Sequence, residues 1–373
     1  MNNTKLSNPV RLIAFFLTAF LLICTFGFTA DGWQIGDSTK NETLDKPLID
    51  SPQIKDDENN SNVNDDCLNN PDIYVPSFIN RITGLEIDEE LSKKAHLAFV
   101  LDSNTYYGIS GADLVCQIPI ENGDIRTVAF VLENDTLWKI GSISTTKGYI
   151  SNISKYFGGV CVSNGSQDLQ GYIQCDTSGL QLDFSIDKDF AYTEFENNIY
   201  TNSDLLKAAL EFRDIDLTAI QSPTLPYNFI DFGSESIIAE GISAKMVTVT
   251  HSEKNTTKLV YNENEGKYLL STAGTTITDS MNGKSLNFEN CFVLFADSVT
   301  YDTPQGSQMI MDTIGKGSGY YITHGSACEI KWLATADGVM TFTDSDGNKL
   351  TINRGSIYLS FVKSSMVDKV VFQ

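Results

Sequence analysis

The uncharged apolar run from Leu12 to Ala30 (LIAFFLTAFLLICTFGFTA), with Lys5 and Arg11 ahead of it, constrains this chain more than any other feature. A helix rises about 1.5 Å per residue, so the run approaches the ~30 Å of a bilayer's hydrocarbon core. A basic flank before such a run stays on the cytoplasmic side, and the following polypeptide is sent outward. Residues 1–30 are therefore predicted to be a signal peptide or membrane anchor, making the membrane a partner through the N-terminus. Three outcomes stay open. The run remains as an uncleaved anchor; Cys24 in LLIC is acylated as in a lipoprotein, although bulky Ile23 precedes it; or cleavage after Thr25-Phe26-Gly27 releases a secreted chain. The expected location is membrane-anchored on the extracytoplasmic side, with secretion as the alternative.

Residues 31–71 are rich in Asn, Asp, Ser and Lys and carry almost nothing aromatic after Trp33. Such a stretch buries too little apolar surface to offset its ordering entropy, and its carboxylates repel one another. It is predicted to be an acidic disordered spacer. The formal charge of −22 argues against nucleic acid and against an anionic membrane surface as partners, since both would repel the chain.

From residue 72 the pattern becomes that of a folded body, predicted as α+β in two parts. In the first, 72–225, His96 to Leu101 reads as a buried strand. Leu114–Ile120 and Thr127–Leu132 flank the turn Glu121-Asn122-Gly123-Asp124, a strong hairpin signal. Ile143 to Phe157 has apolar residues at helical spacing and stops at Gly158-Gly159; Val160–Val162 is another strand, and a helix opens over Ser203–Leu210 with Asn202 or Ser203 as its N-cap. Strands alternating with helices predict an α/β unit with a mixed sheet. Prolines and glycine gather over Gln221–Gly233, and 226–373 then reads as a mostly antiparallel β-rich unit. Its runs are 244–250, 257–261, 267–270, 291–296, 319–323, 329–333, 339–342 and 356–362.

Ordinary catalytic chemistry is thinly supplied. The three histidines, His96, His251 and His324, sit at a strand start, a strand end and a hairpin tip, with no metalloprotease or nucleophile-elbow pattern around them. Gly283-Lys284-Ser285 lacks the earlier glycine of a phosphate loop and reads as a turn. Gly315-Lys316-Gly317-Ser318-Gly319 reads as a flexible connection, and Asp344-Ser345-Asp346-Gly347 as a hairpin turn rather than a calcium loop. Beyond Cys24, the six cysteines Cys67, Cys116, Cys161, Cys175, Cys291 and Cys328 have no metal-ligand spacing. No metal and no cofactor is expected. Cys116, Cys161 and Cys291 lie in apolar runs and read as small buried hydrophobes, with a Cys161–Cys175 disulfide left open. The richest polar set is Asp102, Asp113, Arg126, Lys147 (placed in the helix), Asn198 and Tyr200, at strand ends along one sheet edge where ligands commonly bind. The structural alternative is that Arg126 pairs with Asp102 or Asp113.

At these residues the chain resembles the YerB-like lipoprotein family of Gram-positive bacteria, whose two halves are domains of unknown function. The resemblance spans about Ile82 to Phe361. It is carried by Thr83-Gly84-Leu85, Gly111-Ala112-Asp113-Leu114-Val115, Ile125-Arg126-Thr127, Lys139-Ile140-Gly141-Ser142, Asn198-Ile199-Tyr200-Thr201, Asn290-Cys291-Phe292-Val293, Gly317-Ser318-Gly319-Tyr320-Tyr321 and Asp346-Gly347-Asn348. Order and spacing, rather than any one piece, make the match. The family pattern is more basic at Ser144–Lys147, acidic near Gln117, and carries histidines near Ser163 and Asn197; this chain lacks those groups. The resemblance implies location and architecture more than a reaction. Together these readings favour a tethered binding or accessory protein of the cell envelope over an enzyme, with a cell-wall component or envelope protein as partner. The alternative is a cell-wall-acting hydrolase or transferase using Asp102 or Asp113 with Arg126.

Overall fold

Strand β1 (His96–Asp102) is buried along its length because both of its faces are covered. The computed structural model describes residues 73–102, 106–166, 180–272, 274–304 and 306–373. The anchor and spacer expectations, with Cys24, Cys67 and Cys175, lie outside these residues. A short helix α1 (Glu89–Ser92) leads into β1. β2 (Leu114–Pro119) and β3 (Ile125–Val131) form the expected hairpin, with Asn122 and Gly123 both at positive φ, 60° and 79°. That left-handed pair gives a tight turn the right twist, and Gly adopts it without strain.

β4 (Ile140–Ile143) is followed by α2 (Gly148–Phe157), which ends on Gly158 in the left-handed conformation. The helix is shorter than the predicted span from Ile143. The first residues of that span finish β4 and continue pairing, with Ser144 N donating to Val100 O at 2.8 Å. β5 (Gly159–Ser163) returns parallel to β1, followed by β6 (Gln181–Asp183), β7 (Tyr192–Glu194), β8 (Asn198–Thr201) and α3 (Ser203–Phe212). Of the two N-cap candidates it is Asn202 that caps α3, its side-chain oxygen accepting from Leu205 N at 3.0 Å.

The second half runs through β9 (Asn228–Phe229), β10 (Ile242–Ser243), β11 (Met246–Thr250), β12 (Thr256–Asn262), β13 (Lys267–Thr272), β14 (Thr275–Thr276) and β15 (Asn287–Phe288). β16 (Asn290–Ala296), β17 (Ser298–Thr303), β18 (Gly306–Met311), β19 (Gly315–Thr323), β20 (Ser326–Ala334) and β21 (Met340–Thr343) follow. The chain closes with β22 (Thr351–Ile352), β23 (Ile357–Lys363) and β24 (Val370–Phe372). The protein is β-rich with few helices.

One 14-stranded sheet runs through both halves, because β23 inserts parallel between β2 and β16. The expected parts 72–225 and 226–373 thus share a sheet, and its centre is not antiparallel. Period-2 alternation explains the layering. Leu97, Phe99, Leu101, Cys291, Val293 and Tyr358 face a six-stranded sheet built around β11–β13, whereas Ala98, Val100, Phe292, Leu294 and Leu359 join the core under α2. β11 is buried on one face only, through Val247 and Val249, and reads polar at alternate positions.

The Gly315–Gly319 stretch is part of β19 and not a flexible connection. A Cβ on Gly317 would lie 2.4 Å from Phe295 O and 2.6 Å from Trp332 Nε1, so glycine lets the Trp332 indole reach Phe295 O at 3.0 Å. Cys116, Cys161 and Cys291 are buried free thiols; Cys175, the other end of the disulfide left open, lies outside the described residues.

Candidate functional site

Where β1 and β3 leave the core, their last buried positions give way to charge. Asp102 is the cross-strand partner of Arg126, and Arg126 Nη1 donates to Asp102 Oδ1 at 2.7 Å. The structure therefore selects Asp102, not Asp113, as the Arg126 partner. Arg126 Nε also donates to Thr145 O at 3.4 Å. The row continues sideways through β4 and β8, where Ser142 Oγ donates to Asn198 Oδ1 at 3.1 Å. Strands lie about 4.8 Å apart, so these four strand ends present a polar row roughly 15 Å wide.

Lys147 is not inside α2 but at its N-cap, in extended backbone (φ −138°, ψ 158°). Its ammonium lies 3.1 Å from Glu121 Oε2 in the β2–β3 turn and donates to Gln308 Oε1 of β18 at 2.8 Å. The β17–β18 hairpin, which the sequence did not announce, thereby roofs this pair. The side chains of Lys147 and Glu121 are 6% and 12% exposed, against 15% for Arg126 and 37% for Asp102. The first pair is sealed; the second is half wet. In the sealed pair each charge depends on the other, because neither has bulk water to replace a lost partner.

Tyr200 belongs to a neighbouring cluster on β8. Its ring and that of Tyr107 stand edge to face at 5.6 Å, and Lys139 Nζ sits 4.0 Å and 4.3 Å from the Tyr200 and Tyr107 centroids. Glu194 completes the cluster by accepting from the same ammonium. Burial works against the Lys139 charge, but the Glu194 carboxylate outweighs it and holds the ammonium above the usual lysine range. Burial also pushes the Tyr200 hydroxyl up, more than the nearby lysine draws it down.

Asp113 is elsewhere. Its Oδ2 accepts from Asn80 Nδ2 and from His96 Nε2, both at 2.8 Å. His96 opens β1 and Asp102 closes it, so at about 3.3 Å per residue Asp113 stands roughly 20 Å from the Arg126 pair. No single site holds Asp102, Asp113 and Arg126. The His96–Asp113 pair escaped sequence reasoning because only the β1–β3–β2 register brings together residues 17 positions apart. His96 is 0% exposed, and the carboxylate also holds the Asn80 loop, whose Oδ1 accepts from Ile82 N and Thr83 N.

The remaining motifs are structural. Gly283-Lys284-Ser285 follows a turn headed by Asp279, whose buried carboxylate accepts from the backbone of Gly108, Ser110 and Met281 at 2.9–3.0 Å. Burial pushes this carboxyl up, but those amides and the Ser110 hydroxyl outweigh it and hold it below the usual aspartate value. Asp344 Oδ1 caps its own hairpin turn by accepting from Asp346 N and Asn348 N. His324, at φ 47°, forms the β19–β20 tip with Gly325. His251 is sealed, and burial lowers it to about 4. Among the described residues no cluster of three or more His, Cys, Asp or Glu side chains could hold a metal.

The chain is also similar to proteins already known. Residues 247–359 match the C-terminal domain of a family of unknown function, DUF3048. The chain is 22% identical over 293 residues to the protein of Bacillus subtilis (strain 168) named "Putative lipoprotein YerB", covering 75% of this chain and 85% of that one. The crystal structure of the Bacillus subtilis YerB protein superposes with a TM-score of 0.67 at 20% identity, covering 79% of this chain and 99% of the other. Residues 247–359 are thus similar to a DUF3048 C-terminal domain. Over most of its length the chain is homologous to YerB and shares its fold.

Proposed function

We propose that this chain is a membrane-tethered accessory or binding protein of the cell envelope, held on the extracytoplasmic side by its N-terminus and using the polar row for recognition rather than turnover. The observation that carries this reading is the state of the row. Its cations are matched by carboxylates at 2.7 Å and 3.1 Å, and the third carboxylate that a hydrolytic pair would need is spent on the His96–Asn80 network. Asp102 and Arg126 remain partly wet, so each can exchange its partner for a polar group of a wall glycan, a wall peptide or an envelope protein. The name of the Bacillus relative supports a lipoprotein-type attachment. Cys24 is the residue that would carry it, with an uncleaved anchor and a secreted form as the competing outcomes.

The test is capture of wall fragments and envelope proteins by the full-length chain in detergent. Arg126→Ala should weaken capture at least tenfold while leaving the thermal transition in place. Robust hydrolysis of wall fragments that Asp113→Ala abolishes would overturn the proposal. The mass of the mature N-terminus separates diacylated Cys24, intact Met1 and a cut after Gly27.

A further inference from the structure

A cleft of about 510 Å³ opens at the C-terminal end of α2, in the size range of small-ligand pockets. Its floor is Gly158 and Gly159; one wall is the segment 220–223 and the other the turn 336–339. It lies at the opposite end of the helix from Lys147, about 15 Å away at 1.5 Å per residue, and is a separate place from the polar row.

Three features define what it would hold. The first is the wall. Ser222 precedes Pro223 and Leu225 precedes Pro226, which bias both residues toward extended backbone. Arg81 ties this wall to the helix end by donating to Phe157 O at 2.5 Å and to Pro223 O. Yet the backbone groups of Ile220, Gln221 and Ser222 make no hydrogen bond among the described residues. A pre-set run of unpaired amides and carbonyls is the complement of another extended main chain. The second is Ser154, 2% exposed on the cleft side of α2, whose hydroxyl lies beside the Cys161 thiol and has no oxygen or nitrogen partner among the described residues. A buried hydroxyl with only a thiol beside it is weakly satisfied, and a ligand amide or carbonyl reaching it improves on that contact. The third is the remaining lining. Among the described residues it has no aromatic ring on which a sugar face would stack, and its charged side chains there are one lysine, Lys155, and one aspartate, Asp337.

We propose that this cleft binds a short, uncharged peptide in extended conformation, paired through its main chain with residues 220–222 and reaching Ser154. The inference does not depend on the membrane tether or on the polar row, and its experiment leaves both untouched.

Dye-labelled tetra-alanine is titrated into the full-length chain in detergent and followed by fluorescence anisotropy. Saturable binding is expected, and the backbone N-methylated tetra-alanine should bind at least tenfold more weakly. Ala336→Trp, on the exposed turn, fills the mouth, and Ser222→Pro removes one wall amide. Each should weaken binding at least tenfold with an unchanged thermal transition. The peptide comparison holds even if a variant fails to fold. Absence of saturable binding, equal binding of the N-methylated peptide, binding indifferent to Ala336→Trp in a folded variant, or chitotriose binding there in place of the peptide would each overturn the assignment.

Discussion

The two ends of β1 carry similar chemistry in different surroundings. At one end Asp102 and Arg126 are 37% and 15% exposed; at the other, Asp113, 19% exposed, meets a histidine that is 0% exposed and fixes the Asn80 loop as well, so the second pair is the more enclosed. A charged pair with access to water can trade partners at little expense. A sealed one cannot, because each group left behind would be desolvated and unpaired. The contrast teaches that residue type does not separate a recognition site from a structural clasp, whereas access to solvent does.

The strongest challenge to this contrast is Asp113→Ala. It orphans His96 Nε2 and Asn80 Nδ2 together and should destabilise by about 3 kcal/mol in urea unfolding; a change below about 1 kcal/mol would mean that the sealed end is no clasp. Lys147→Ala comes next, with a loss of about 2–3 kcal/mol from leaving Glu121 without its charge partner. Adding Glu121→Leu to Lys147→Met should recover most of that loss, and failure to recover would locate the effect in the Gln308 contact instead.

Asp279→Asn sharpens the sealed side with a carboxylate held by amides. Its folded pKa lies below the unfolded value of about 4, so its stabilisation is complete above that pH and fades as pH falls toward the depressed value. The variant should lose about 1–2 kcal/mol at pH 7, and the difference from the parent should narrow in acid; a difference independent of pH would exclude the charge. The smallest effect is expected at the wet end. Asp102→Asn should change stability by less than about 1 kcal/mol, and its consequence should be read in capture of envelope material.

Local pattern made part of this architecture legible. The run His96–Leu101, the Asn122-Gly123 turn and the Asn202 cap rest on interactions within a few residues, and they fall where the pattern placed them. β19 was misread because the reason for its glycines lies across the sheet, at Phe295 O and the Trp332 ring. β17 is mostly exposed (SVTYDT) and gives no apolar signal, and the apolar end of β18, Met309–Met311, is too short to announce a hairpin by itself. Arg126 with Asp102 was among the pairings foreseen, since both end predicted strands. The position of Asp113 depends on register, and the placing of β23 between β2 and β16 depends on residues about 240 apart, which leave no trace in any short window.

That placing governs when the molecule can become itself. β2 and β16 have nothing to pair with between them until Ile357–Lys363 is available, so the middle of the sheet waits for a strand about 240 residues beyond β2. Contacts spanning such separations form slowly. Any copy cut short before Ile357 would therefore show two raw strand edges, a ready seed for aggregation.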